Sequence, residues 1–244
     1  MAAIRLELNA NKTQLLWAGS KYGSASLNGS GPPPRLSDEI ITAGDHVRLL
    51  GVTISSDLNT DKHVSNTTSS SCFYWLRQIR RIRHSLEIAS ANTLVHAFVS
   101  SRVDGCNTVL AGSSKATTDR LQHVLNAAAW IVSGTHKFDR GLTHPLHSEL
   151  GLDVPQCIQF KLGVTVHRCL QGNAPRYLVD CRKSTSDVAS GQRLRSASRH
   201  QLIVPICHHT KIGRRAFSVA DPSAWNSLPD LRDTSLSEDT FSRS

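Results

Sequence analysis

"CFYWLRQIRRIRHSL", Cys72 to Leu86, decides how the rest of the chain is read. Cys72, Leu76, Ile79, Ile82 and Leu86 share one side at helical spacing, while Arg77, Arg80, Arg81 and His84 share the other at i, i+3, i+4 and i+7. This is an amphipathic helix with an apolar seam to bury and a cationic face to leave in water. The residues before it have the other period. Ile4, Leu6 and Leu8 alternate as a strand does, Asn9-Ala10-Asn11 turns the chain, and Thr13 to Trp17 reads as a second strand. "HVRLLGVTIS", His46 to Ser55, reads as a short apolar strand rich in β-branched residues. Between them, "GSASLNGSGPPPRLS", Gly23 to Ser37, is a loop by its glycine, serine and triple proline.

Downstream the helical period continues. Ser90 to Val103 carries Leu94, Val95 and Phe98, and Asp119 to Val132 lines up Leu121, Val124, Leu125, Ala128 and Val132. Pro155 opens a further helix through Ile158, Leu162, Val166 and Cys169, because proline is tolerated in the first turn. After "GNAPRYL" the text is less periodic and strongly basic. The expected fold class is α+β, mostly α. A small antiparallel sheet occupies residues 1–56, a helical bundle 57–170, and an irregular basic segment 171–244.

With 39% hydrophobic and 5% aromatic residues over 244 positions, the core is aliphatic and thin. The 28 Lys+Arg against 19 Asp+Glu leave +9, which points to a polyanion partner, nucleic acid being the commonest. Cys72, Cys106, Cys157, Cys169, Cys181 and Cys207 form no C-x-x-C pair and sit mostly in apolar-periodic stretches. Buried thiols in a reducing compartment are expected rather than a disulfide framework. Cys157, Cys169 and Cys181 recur too widely for zinc ligands, so no metal site is expected. No apolar run reaches membrane-spanning length, and the first residues lack the n- and h-regions of a signal peptide. The expectation is an intracellular chain, in nucleus or cytoplasm and not secreted, with no membrane partner and no evident small-molecule substrate.

Catalytic patterns are missing from the 244 residues. Two-metal phosphoryl transfer needs carboxylates that hold ions roughly 4 Å apart. No Asp-Asp pair occurs, and the nearest substitute, Asp38-Glu39, follows a proline-rich loop. There is no G-x-S-x-G elbow and no phosphate-binding glycine motif, and His144 and His147, separated by Pro145, read as a surface loop. Binding has better support. Besides Arg77, Arg80, Arg81 and His84, a second basic concentration runs through Arg193, Arg195, Arg199, Lys211, Arg214 and Arg215. Phosphate contacts of this kind are mainly sequence-independent and weaken as salt rises.

"RLELNANKTQLLWAGSK" resembles the segment just after the catalytic strands of reverse transcriptases of non-LTR retrotransposons (LINE elements, jockey-like), and "VRLLGVTISSDL" resembles the next strand of that palm. "LVHAFVSSRVDGCN", "TTDRLQHVLNAAAW", "KLGVTVHRCLQGNAPRYL", "LRSAS" and "GRRAFSVADPSAWNSLP" resemble the downstream blocks in the same order. The resemblance implies an RNA-directed DNA polymerase origin. Residues 1–56 are then a palm remnant and 57–170 a thumb-like region. Lys12 matches a motif D lysine near the incoming nucleotide's phosphates, and Leu50-Gly51-Val52 matches the strand that supports the primer end. The implied partner is RNA or an RNA–DNA duplex. The metal-binding Asp-Asp element would lie upstream of Ile4, so no cofactor is expected in this chain and Mg²⁺ belongs to that missing part. Such a fragment binds template–primer but does not polymerise alone. The alternative is a non-catalytic nucleic-acid-binding or interaction protein derived from the element, or a product without function. Two departures from the family bear on structure. Gly105 stands where tyrosine is usual, which predicts a cavity, and Trp130 stands where arginine is common.

Overall fold

The computed structural model describes residues 9–18, 34–36, 39–134, 153–181, 201–207 and 213–228. The expected strand Ile4 to Leu8 and most of the Gly23–Ser37 loop lie outside them, as do Asp38 and the His144–His147 segment. The chain divides into two compact units, Met1–Ser70 and Ser71–Ser244.

The first unit is built on a hairpin. The stretch expected to form one strand, His46 to Ser55, folds back on itself as β3 (His46–Leu49) and β4 (Val52–Ser55), antiparallel, with Leu49 opposite Val52. The two residues between them, Leu50 and Gly51, have φ of 49° and 87°. Positive φ at both central positions is the two-residue turn whose twist matches the strands it joins. A second, shorter pair is β1 (Arg35–Leu36) with β2 (Glu39–Ile40). The expected strand Thr13 to Trp17 is not formed. Ala10–Lys12 is a 3-10 turn, and Leu15 makes a single parallel bridge to Ala43. Its carbonyl accepts the Gly44 N–H at 2.9 Å, and the ladder goes no further.

Hairpin geometry explains two side-chain contacts. In a two-residue hairpin the second pair from the turn is the non-hydrogen-bonded one, so its N–H groups point outward. Arg48 and Thr53 form that pair. The Arg48 N–H donates to Gln14 Oε1 at 3.1 Å, and the Thr53 N–H donates to Nδ1 of buried His63 at 3.4 Å. His63 belongs to α1 (Asp61–Ser65), which packs on β4. A π-helical stretch, Asn66–Cys72, follows. Its sequence, NTTSSSC, is dense in hydroxyls that compete for backbone carbonyls, as Thr68 Oγ1 does with Ser65 O at 3.2 Å.

The second unit is helical, with α2 (Phe73–Ile82), α3 (Ile88–Val95) and α4 (Ser101–Asp104), the last two joined by the π-helical turn His96–Ser100. Then come α5 (Lys115–Ser133), α6 (Val154–Leu170), α7 (Arg176–Val179) and α8 (Phe217–Asn226). The expected stripes are buried: Leu121, Val124, Leu125, Ala128 and Val132 on α5, and Ile158, Leu162, Val166 and Cys169 on α6. Gly134, at φ 69°, ends α5 in the left-handed conformation that suits a residue without Cβ. Asp153 starts α6 with a reciprocal capping box to Gln156, and Pro155 sits in the first turn. The Val154 N–H donates to Gln122 Oε1 of α5 at 2.9 Å, which ties the two helices.

Within the basic C-terminal segment, Phe217–Asn226 is a regular helix rather than irregular chain. Pro222 lies inside it and masks the helical signal, since proline removes a backbone donor there. Burial of Trp225, 0% exposed, holds the element against Val166 and Leu202, with Phe160 and Val164 alongside. Asn226 adds a paired bond to Leu202: Oδ1 accepts its N–H at 3.0 Å, and Nδ2 donates to its carbonyl at 2.9 Å.

Two further expectations change, at Gly105 and at the thiols, and Trp130 takes a place the sequence left open. Gly105 is exposed at the end of α4, so the missing side chain leaves a surface position and not a core void. Trp130 is half-buried, and its Nε1–H is enclosed without a hydrogen-bond partner among the described residues. The thiols are not uniformly buried: Cys72 and Cys169 are, Cys106, Cys157 and Cys207 are half-buried, and Cys181 is exposed. Burial pushes the Cys72 thiol up to about 11, against the pull of Arg102, and raises Cys106 and Cys157 as well.

Candidate nucleic-acid interface

The seam of α2 begins with Cys72 and continues through Leu76 and Ile79, all three buried. That orientation turns Arg77, Arg80, Arg81 and His84 outward, and all four are exposed. Ile82, expected on the seam, is 48% exposed. The helix tightens into a 3-10 turn at Arg83–Ser85, which shifts the register at its end.

Arg83 has a different job from its neighbours. It follows Cys72, Leu76 and Ile79 at i+11, i+7 and i+4, so it falls on the apolar side and needs acceptors there. Its Nε donates to Ile131 O at 2.8 Å and Nη2 to Val132 O at 2.7 Å, two of the last carbonyls of α5. Its Nη1 donates to Leu86 O at 2.8 Å. This guanidinium caps a helix and is not available to a ligand.

Two aromatic side chains complete the outward face. Tyr74 is 53% exposed and Phe73 37% exposed. Tyr74, Arg77 and Arg81 stand at i, i+3 and i+7, and Phe73, Arg77, Arg80 and His84 at i, i+4, i+7 and i+11. The face therefore leads with aromatic rings and continues with cations. The Tyr74 ring meets Trp75 edge-on at 5.5 Å, and Trp75 stacks on Phe98 at 4.2 Å. Sequence reading placed these rings nowhere; their helical offset from the arginines was the available signal.

The second basic concentration is mostly out of view. Arg193, Arg195, Arg199 and Lys211 lie outside the described residues. Arg214 is exposed in the 3-10 turn Gly213–Arg215. Arg215 is half-buried, with Nη2 donating to Val109 O at 3.3 Å, and its stem lies where a side chain on Gly112 would be, 3.1 Å from a Cβ built there. It anchors the turn before α8.

In the first unit, Lys12 is exposed at the end of its 3-10 turn, its N–H donating to Asn9 O at 3.1 Å. Leu50-Gly51-Val52 is the tip of a hairpin and not a strand interior, with Leu50 95% exposed. The donor set for two Mg²⁺ ions is not met by the described residues: no three of His, Cys, Asp and Glu stand together to hold a metal ion. No helix among them is long and apolar enough to cross a membrane.

Charge separates the two units. Residues 1–70 carry six Lys+Arg and six Asp+Glu, so the whole +9 belongs to 71–244. Around α2 the imbalance is steeper, for Glu87 is the one carboxylate residue between Asp61 and Asp104 in sequence. No family model, curated protein or solved structure matches the chain.

Proposed function

We propose that this chain is a nucleic-acid-binding portion of a LINE-type reverse transcriptase, with a palm remnant in the first unit and thumb-like helices in the second. It engages RNA or an RNA–DNA template–primer and does not polymerise on its own. The observation that carries the reading is the face of α2: Arg77, Arg80 and Arg81 are exposed together, opposite a seam that is buried. Such a helix can lie along a phosphate backbone while its other side stays in the core. The order of the sequence blocks supports the family, and the location of the net charge supports the helical unit as the binding part. Lys12 and the hairpin tip at Leu50 are the first unit's candidates for contacts near the primer end.

The test is a pair of measurements on the purified chain. An RNA–DNA duplex should bind with affinity that falls steeply as salt rises, and the triple variant Arg77→Ala, Arg80→Ala, Arg81→Ala should flatten that dependence. Primer extension with Mg²⁺ or Mn²⁺ should yield no product. Template-dependent incorporation would overturn the claim that the chain does not polymerise alone, and unchanged affinity in the triple variant would overturn the assignment of the interface.

A further inference from the structure

We infer that the outward face of α2 takes unpaired nucleotides, with a base stacked on Tyr74 and its phosphates on Arg77 and Arg81, so that the protein prefers single-stranded nucleic acid to a blunt duplex. The inference rests on the nucleic-acid reading above and narrows its ligand.

Tyr74 is not a core residue displaced to the rim. It projects on the side away from buried Cys72, Leu76 and Ile79, with more than half its surface in water. It is also held in place, its ring edge-on against Trp75, which is itself stacked on Phe98 with the planes 18° apart. A braced ring loses little freedom when a ligand settles on it. Arg77 and Arg81 follow about 4.5 and 10 Å along the helix axis. A base on the tyrosine therefore leaves its own backbone within reach of both guanidiniums.

The aromatic rings decide which nucleic acid. Arginines alone bind any phosphate backbone, paired or not. Aromatic side chains gain from bases whose faces are free, and a duplex hides those faces in its own stack. Charge decides against an uncharged partner, because the three arginines of this face have no neighbouring carboxylate in sequence before Glu87.

Fluorescence anisotropy on the full chain tests this with three probes: a labelled oligouridine, a blunt RNA–DNA duplex of the same length, and polyglutamate as a competitor with charge but no bases. The oligouridine should bind more tightly than the duplex. Tyr74→Ala should weaken the oligouridine about tenfold and the duplex far less, while Tyr74→Phe keeps both affinities. Tyr74→Leu retains an apolar side chain without a stacking face and serves the same purpose if alanine perturbs the helix by circular dichroism. Equal binding of strand and duplex, or a strand affinity indifferent to Tyr74→Ala and Tyr74→Leu, overturns the inference and leaves the broader reading intact. Binding of neither nucleic acid, or displacement by polyglutamate as effective as by oligouridine, overturns both.

Discussion

Arg81 and Arg83 are two positions apart and have opposite fates. Arg81 faces solvent, whereas Arg83 is spent on the carbonyls of Ile131, Val132 and Leu86. Charge-assisted bonds to otherwise orphaned carbonyls at a helix end are worth more than a surface contact. Arg83→Ala should lower stability by about 2–3 kcal/mol, read as a shift in urea midpoint at constant slope. Arg83→Lys should recover only part, since one ammonium cannot span three acceptors. Leu50 is a residue under strain, a branched side chain at φ 49° with no burial to offset it. Asn is far better suited to that turn position, and Leu50→Asn should stabilise the hairpin by about 1 kcal/mol. The check is a roughly fivefold rise in hydrogen-exchange protection of the β3–β4 amides.

At the scale of elements, what was legible follows from how each one is held. The stripes of α5 and α6 could be read because burial and helical period coincide along them. The hairpin could not, because its turn is Leu-Gly inside an apolar run and lacks the Asn or Asp that announces such turns. α8 was hidden by Pro222, and is kept helical by packing of Trp225 that no local signal carries. The same division applies to the proposed interface. Its arginines were evident from spacing, but which aromatic residues of "FYW" face water depends on where the seam settles against α5 and α3. The α1–β4 contact brings a pH dependence. Burial lowers the pKa of His63 below its ordinary 6.5, so the folded state holds the ring neutral, with Nδ1 accepting from Thr53. Stability from this group is complete above about 6.5, and is lost as pH falls through the depressed folded value. Thermal melts of the chain at pH 7.5 and 5 should differ by more than those of His63→Gln, which keeps an acceptor and cannot titrate.

For the whole molecule, two compact units with unequal charge imply a division of labour. Residues 1–70 are formally neutral, and the large apolar side chains exposed among their described residues are Trp17, Ile40, Leu49 and Leu50. Residues 71–244 hold the entire net charge and the α2 face. A chain of residues 66–244, begun at the π-helical stretch so that α2 keeps its lead-in, should therefore retain the salt slope of nucleic-acid binding. Equal log–log slopes for the full and shortened chains are the expected result, and a slope lowered by two or more ions would move part of the interface into the first unit.

The pair of hydrogen bonds between Asn226 and Leu202 has a consequence in chemical ageing. Asparagine side chains hydrolyse slowly to aspartate, and at this position the change would replace a donor with a second acceptor. The Leu202 N–H would still find an oxygen, but the Leu202 carbonyl would face a negative charge where it now receives an N–H at 2.9 Å. The segment 201–207 is thus fastened by a group with a finite lifetime, and an old preparation should release it from α8 before any helix unfolds.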